Sequence, residues 1–363
     1  MTHAAEAPAE GLALPELRLK PREGRRLSAG HLWVFSNEVD TDRTPLAGFA
    51  PGALCRVIGD RDHFIGYAYV NPHALICARI LGRDARYPPG KSLLVHRLQV
   101  ALALRERLYP RPFYRLVHGE SDGLPGLVLD RYGDVVVGQS GTAGMEALKA
   151  EIVAAVEKVI APRAMVWKND SGARELEGLP SCVEAALGDV PEHVEVEENG
   201  VRFRVPMGAG QKTGWFYDQA ANRAAFLKYV AGKRVLDVFS YLGAWGLSAG
   251  RAGAAEVVCV DSSAPALELL QASADANGLT VATRRGDAFD VLAALREAGE
   301  RFDVVVVDPP AFIKRRRDIP KGQAAYRKLN QLAMQLLPRD GILVSCSCSH
   351  HLAQDDLIGA IQQ

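Results

Sequence analysis

No apolar run in the sequence approaches the ~20 residues that a membrane helix needs, so no membrane partner is expected. Cysteine is scarce, at six residues in 363. That is too few for a disulfide framework in a chain of this length, and Cys346 and Cys348 sit one residue apart. Free thiols in a reducing cytoplasm are the expectation. Net charge is also missing, because 43 Lys and Arg balance 43 Asp and Glu. The balance is not local: Leu17 to Arg115 holds 17 basic against 8 acidic residues, an excess of 9. A polyanionic partner for the N-terminal half and a merely solvated basic face both account for that excess. Met1 to Glu10 lacks the basic-then-apolar layout of a secretory signal, and residues 1–16 are expected to form a disordered tail. Two phosphate-binding signatures are incomplete. Gly210-Gln211-Lys212-Thr213 looks like the end of a P-loop, but Gln211 stands where glycine is required. The stretch from Val235 to Gly246 opens like a dinucleotide-binding turn without a complete G-x-G-x-x-G.

What is present reads as two or three domains of an ordinary soluble protein, with 48% hydrophobic and 24% charged residues. Residues 17–85 read as a compact β module. Short strands over 17–20, 54–58, 64–70 and 75–81 are separated by Pro51-Gly52, Gly59-Asp60 and Asn71-Pro72. Lys20, Arg22, Arg25 and Arg26 precede His31-Leu32-Trp33-Val34-Phe35, a juxtaposition that suits RNA backbone and stacked bases as well as a plain core with a solvated loop. Residues 90–190 read as a middle α+β domain. It opens on an amphipathic helix over 91–109, with Leu94, Leu98, Ala101 and Leu108 on one stripe, followed by a small meander. Glu120, Asp122 and Asp130 fall in its turns, where turn chemistry rather than a metal is expected.

From residue 194 to 363 the pattern changes. A hairpin centred on Asn199-Gly200 leads to regular alternation of apolar runs and helices, the signature of a doubly wound parallel α/β domain. Each run ends in a group with chemistry: Asp237, Asp261, Asp287, Asp308, and finally Cys346 and Cys348. In an open α/β sheet ligands sit outside the carboxyl ends of the strands. Asp261, ending the second strand, suits ribose hydroxyls, and Asp287 suits an adenine amino group. Since the first turn is not built for a pyrophosphate, S-adenosylmethionine (SAM) is preferred to NAD as the cofactor.

Asp308-Pro309-Pro310-Ala311-Phe312 is an element that suits a planar amine-bearing base: the prolines fix the backbone and Phe312 offers a stacking face. Taken alone it suits methylation of an exocyclic nitrogen. The cysteines argue for carbon, because a thiolate adding to C6 of cytosine makes C5 nucleophilic. The basic run Lys314-Arg315-Arg316-Arg317 is placed to contact RNA and to lower a nearby thiol pKa. Inert buried cysteines, an amine-directed enzyme and a non-catalytic RNA-binding protein are the competing readings.

Four segments together resemble the bacterial ribosomal large subunit methyltransferase I family: Gln211-Lys212-Thr213-Gly214 with Tyr217-Asp218-Gln219, Phe239-Ser240-Tyr241 with Gly243, Asp308-Pro309-Pro310 with Phe312, and Ser347-Cys348-Ser349. The resemblance runs from about Leu17 onward. It implies an N-terminal PUA domain, a middle α+β domain and a C-terminal class I (Rossmann-like) SAM-dependent methyltransferase domain acting on cytosine C5 of 23S rRNA. It also implies Cys348 as nucleophile, with Asp308 and Pro309 in the catalytic constellation. The cofactor residues implied are Gln211, Lys212, Thr213, Gly214, Asp218, Asp237, Phe239, Ser240, Gly243, Asp261, Ser262, Asp287, Ala288 and Asp308. Pro310, Phe312 and Lys314 to Arg317 are implied on the substrate side, with no metal, and a homodimer is a further expectation. The family's sheet has seven strands. The sequence stops at Gln363 inside what reads as the fifth helix, so the last two strands are expected to be missing and the edge of strand five exposed.

Overall fold

The computed structural model describes residues 14–208 and 213–362. They form two compact units, one reaching to Glu192 and including Thr213–Trp215, the other comprising His193–Pro206 and the chain from Phe216.

The first unit carries two five-stranded sheets. The N-terminal sheet contains β1 (Glu16–Arg18), β2 (Trp33–Phe35), β3 (Leu54–Ile58), β4 (Phe64–Val70) and β5 (Ile76–Gly82), in the order β1-β3-β4-β5-β2, with the short helix α1 (Gly24–Ser28) before β2. Leu17, Val34, Val57, Val70 and Cys77 fill its core. Helix α2 (Lys91–Leu108) leads into the second sheet. That sheet comprises β6 (Phe113–His118), β7 (Leu127–Tyr132), β8 (Val135–Ser140), β9 (Ala164–Asn169) and β10 (Cys182–Leu187), with α3 (Ala143–Ala147) and α4 (Lys149–Ile160) between β8 and β9. Leu94, Leu98 and Ala101 of α2 are buried, as a helical stripe requires. Leu108 departs from the expected stripe and is 63% exposed. It is the last residue of the helix, and Pro110 turns the chain away before the stripe can continue.

The second unit begins with the hairpin β11 (His193–Glu198) and β12 (Val201–Pro206). Its turn residues Asn199 and Gly200 both have positive φ, 52° and 73°, the geometry that a two-residue primed turn demands. A 3₁₀ turn over Tyr217–Gln219 precedes α5 (Ala220–Phe226), and a second over Leu227–Tyr229 follows it, so the chain is helical from Tyr217 to Tyr229. Five parallel strands follow, β13 (Arg234–Val238), β14 (Glu256–Asp261), β15 (Ala282–Arg285), β16 (Val304–Val307) and β17 (Ile342–Ser345), in the order β15-β14-β13-β16-β17. The crossover helices are α6 (Ala244–Arg251), α7 (Ala264–Ala276), α8 (Ala288–Glu297) and α9 (Ile319–Met334), and α10 (Gln354–Gln362) follows β17. Burial explains the composition. Val304 to Val307 are each covered on both faces, so β16 is an unbroken apolar run rather than an alternating one. Helix limits follow local chemistry as well. Ser263 accepts from the Ala266 N–H, Pro265 occupies the first turn of α7, and Gly278 takes the left-handed conformation (φ 64°) just past its end.

The chain steps from β13 outward through β14 to β15, then returns to the other side of β13 with β16 and β17. The reversal opens a crevice beyond the carboxyl ends of β13 and β16, the place where doubly wound sheets bind ligands.

Candidate active site

The turn leaving β13 builds one wall of that crevice. Phe239, Tyr241 and Gly243 all have positive φ, 66°, 48° and 81°. Only the last is a glycine, so two L-residues are held in a conformation that they rarely adopt. The turn is held from several directions: Ser240 N–H donates to the Val260 carbonyl (3.0 Å), Tyr241 N–H to Asp261 Oδ2 (2.8 Å) and Gly243 N–H to the Ser240 carbonyl (2.7 Å). Gly246 has a different role, since a Cβ there would lie 2.5 Å from Cys259 Sγ and 3.1 Å from an Asp237 carboxylate oxygen. It lets α6 start directly against the strands.

Three carboxylates converge beneath the turn. Asp237 is fully buried. Its Oδ2 accepts from Gly246 N–H (2.9 Å), while its buried Oδ1 has no partner among the described residues. Burial, chiefly, pushes its pKa up to about 7; Asp308 and Asp261 add to the rise, and the Gly246 N–H and Arg223 oppose it. Asp261 accepts from Tyr241 N–H and, through Oδ1, from Ser263 N–H (2.9 Å). Asp308 accepts from the Trp245 indole N–H (3.1 Å). Arg223, itself buried, pairs with Glu198 and donates to the Phe216 carbonyl (2.9 Å). Sequence reasoning missed it, because an arginine inside a short helix reads as a surface residue.

Concentrated negative charge with an unpartnered buried oxygen suits a cationic ligand and repels a pyrophosphate. The residues present therefore fit SAM, a sulfonium, and do not fit NAD.

The other wall comes from β16 and β17. Beyond Val307, Asp308 is half-buried, Pro309 buried and Pro310 exposed. Cys348 is exposed, and its Sγ lies 3.7 Å from the Pro309 carbonyl oxygen. Cys346 is partly covered. Burial first, then Asp308 and Asp237, drive its thiol pKa well up, and Arg223 rather than the 314–317 run is the cation that draws it down. Strand β17 ends at Ser345, so the two cysteines lie in irregular chain and the alternation expected of a strand does not hold for them. The Phe312 ring is half-buried among Tyr326 (4.8 Å between centroids), Phe289 (6.1 Å) and Phe239 (6.5 Å). Only part of it is open for stacking.

Comparison with known proteins identifies the scaffold. Residues 17–83 match a PUA-like domain, and residues 174–361 match the S-adenosylmethionine-dependent methyltransferase family. The ribosomal RNA large subunit methyltransferase I of Photobacterium profundum is 38% identical over 341 residues, covering 91% of this chain and 84% of that protein. The chain belongs to the ribosomal RNA large subunit methyltransferase I family. The Vibrio cholerae protein of the same name is 34% identical over 345 residues, covering 92% and 86% of the two chains. Among solved structures, a methyltransferase in complex with SAH superposes with a TM-score of 0.80 at 22% identity, over 96% of this chain and 90% of that one. At that identity it bears on the fold alone. The chain is a SAM-dependent methyltransferase.

The remaining family positions are spread over both units. Thr213 and Gly214 lie in the first unit, where the buried Thr213 hydroxyl donates to Asp130 (2.6 Å) and its carbonyl accepts from Tyr132. Gln211 and Lys212 fall outside the described residues. Asp218 is exposed. Asp287 caps α8 by accepting from the N–H groups of Phe289 and Asp290, with Ala288 buried beside it, and Ser262, next to Asp261, is exposed. Lys314 to Arg317 are all exposed. In the N-terminal module Trp33 donates its indole N–H to Glu120 (2.8 Å), and Arg26 is paired with Glu38 (2.7 Å), while Arg22 and Arg25 are exposed. No helix of the described residues is long and apolar enough to cross a membrane, and no cluster among them is suited to a metal.

Proposed function

We propose that this protein is a cytoplasmic enzyme that transfers a methyl group to C5 of a cytosine in 23S rRNA, with Cys348 as a transient covalent nucleophile. The observation that carries the reading is the exposed Cys348 sulfur beside the Pro309 carbonyl of Asp308-Pro309-Pro310, at the same strand ends as the carboxylate cluster. The family's name supports ribosomal RNA as the substrate.

In this reading Asp261 holds the ribose hydroxyls, Asp287 and Ala288 face the adenine, and the Phe239–Gly243 turn with Asp237 and Asp308 surrounds the methionine end. Asp218, in the same unit, completes the set there. Bound SAM supplies an electrophilic methyl group. Asp308 and the Pro309 carbonyl face the amino edge of the base, with Pro310 and Phe312 against its ring. The Cys348 thiolate forms a bond to C6, which moves the C5–C6 electron pair to C5. C5 takes the methyl carbon as the methyl–sulfur bond breaks. Loss of the C5 proton to a base then returns an electron pair to C5–C6 and expels the thiolate. Nucleoside analysis of rRNA incubated with enzyme and SAM is the test. 5-Methylcytidine is expected, and an N-methylated base would transfer the role to the amine-directed Asp308-Pro309-Pro310 reading.

Two further outcomes are expected. Asp261→Asn should lower SAM affinity about tenfold or more, because a charge-assisted hydrogen bond is worth about 1.5–3 kcal/mol. The substitution also leaves one of two turn N–H groups without its acceptor oxygen. An unchanged calorimetric affinity would take Asp261 out of the site. Neutralising three residues of Lys314–Arg317, all exposed, should flatten the log–log salt dependence of RNA binding by about two units, since each phosphate contact to a single strand contributes about 0.7. A slope that does not move would mean that the run is only solvated.

A further inference from the structure

Beyond Ser345 the chain has no strand to hold it. Cys346 N–H still donates to the Val307 carbonyl (2.9 Å), and after that bond the ladder stops. A nucleophile on a loose loop is a poor one, because misplacement by about 1 Å can cost about a hundredfold in rate. The hydroxyl of Tyr326, on α9, is what ties this segment down. Tyr326 is fully buried, with its ring against Phe312. Ser347 Oγ donates to its hydroxyl (3.0 Å), and the hydroxyl meets Ser349 Oγ (2.8 Å). Ser349 Oγ also accepts from Ile313 N–H (3.1 Å), and Ser349 N–H donates to Ser347 Oγ (3.2 Å). With Ser347 donating to Tyr326, the tyrosine proton is left for Ser349, and the bonds close into a ring that spans Cys348. The same ring fastens the cysteine segment to the Asp308–Ile313 loop, against which Cys348 Sγ rests. A phenylalanine would fill the same apolar space, so packing does not explain the buried hydroxyl.

We propose that Tyr326 is a positioning residue for the Cys348 sulfur, acting through Ser347 and Ser349 to hold it at the reacting face of the base. The proposal rests on the reading of Cys348 as nucleophile. The group does not touch the substrate; it sets where the sulfur stands.

The test uses the full chain, saturating SAM and a 23S rRNA transcript containing 5-fluorocytidine. Fluorine at C5 cannot leave as a proton, so the adduct accumulates and can be timed on a denaturing gel. Tyr326→Phe, assayed well below its melting temperature, should form the adduct between about tenfold and a hundredfold more slowly. SAM affinity and the RNA concentration at half-maximal rate should stay within about twofold, because only the sulfur's placement is lost. Ser347→Ala, a smaller change, should slow trapping in the same way, and the double variant should be no slower than the slower single one. A merely structural tyrosine would lower the melting temperature and leave the trapping rate alone. Trapping at the wild-type rate by a folded Tyr326→Phe overturns the proposal while Cys348 stays the nucleophile, as do losses that simply multiply in the double variant. Should Tyr326→Phe not fold, Ser347→Ala decides alone, and an unaltered rate there overturns the proposal. If the wild-type enzyme methylates and never traps, the nucleophile reading fails first and takes the proposal with it.

Discussion

Cys348→Ala is expected to abolish methyl transfer while SAM affinity stays within about twofold, because only the activation of C5 depends on the sulfur. The geometry separates the two thiols. Cys348 is exposed beside the Pro309 carbonyl, whereas Cys346 is half-covered and burial holds its thiol protonated far above neutral pH. A thiol without access to its thiolate is neither nucleophile nor good leaving group. Cys346→Ala should therefore keep both activity and trapping by fluorinated RNA. In a regular strand the two side chains would share one face about 6.7 Å apart. The chain is irregular past Ser345, so exposure and protonation carry the distinction instead. Trapping by the Cys348 variant and loss of it in the Cys346 variant would reverse the assignment.

What could be read from the sequence follows from how local each signal is. The runs over β13, β14 and β16 are apolar because both sheet faces are covered, and that demand is written in consecutive residues. The caps of α7 and the Asn199-Gly200 turn are equally local. β2 has no signature of its own, because three residues give too short a period to see and their partner strand β5 is more than 40 positions away. Positive φ at Phe239 and Tyr241 has no signature in those residue types; the bonds to Val260 and Asp261 impose it from outside the turn. Tyr326 reads as one more apolar position of an amphipathic helix, and the bonds that distinguish it reach 21 and 23 residues along the chain. Motif spacing finds residues that meet at strand ends. It does not find the residues that hold those ends still.

The protein without cofactor is expected to lose stability as pH rises from about 4 to about 8, and Asp237→Asn should remove that loss. The sign follows from the proton count. Asp237 has a pKa near its ordinary 3.8 when unfolded and about 7 when folded. Between those values the folded chain keeps a proton that the unfolded chain has released, so the contribution is complete below the unfolded pKa and disappears as pH passes through the folded one. At about 1.4 kcal/mol for each unit of separation the loss is on the order of 4 kcal/mol. Asparagine keeps an oxygen for the Gly246 N–H and carries no charge to bury, so above pH 7 the variant should melt higher than the wild type. SAM should act in the opposite sense, because a cation beside Asp237, Asp261 and Asp308 favours the ionised form. Wild-type affinity for SAM should climb as pH rises toward 7 and level off above it, and Asp237→Asn should flatten that climb. Thermal melts from pH 4 to 8, with and without SAM, measure both effects. Parallel stability profiles for variant and wild type would show that Asp237 is ionised in the folded protein at every pH tested, and that Arg223 and the N-terminus of α6 outweigh its burial.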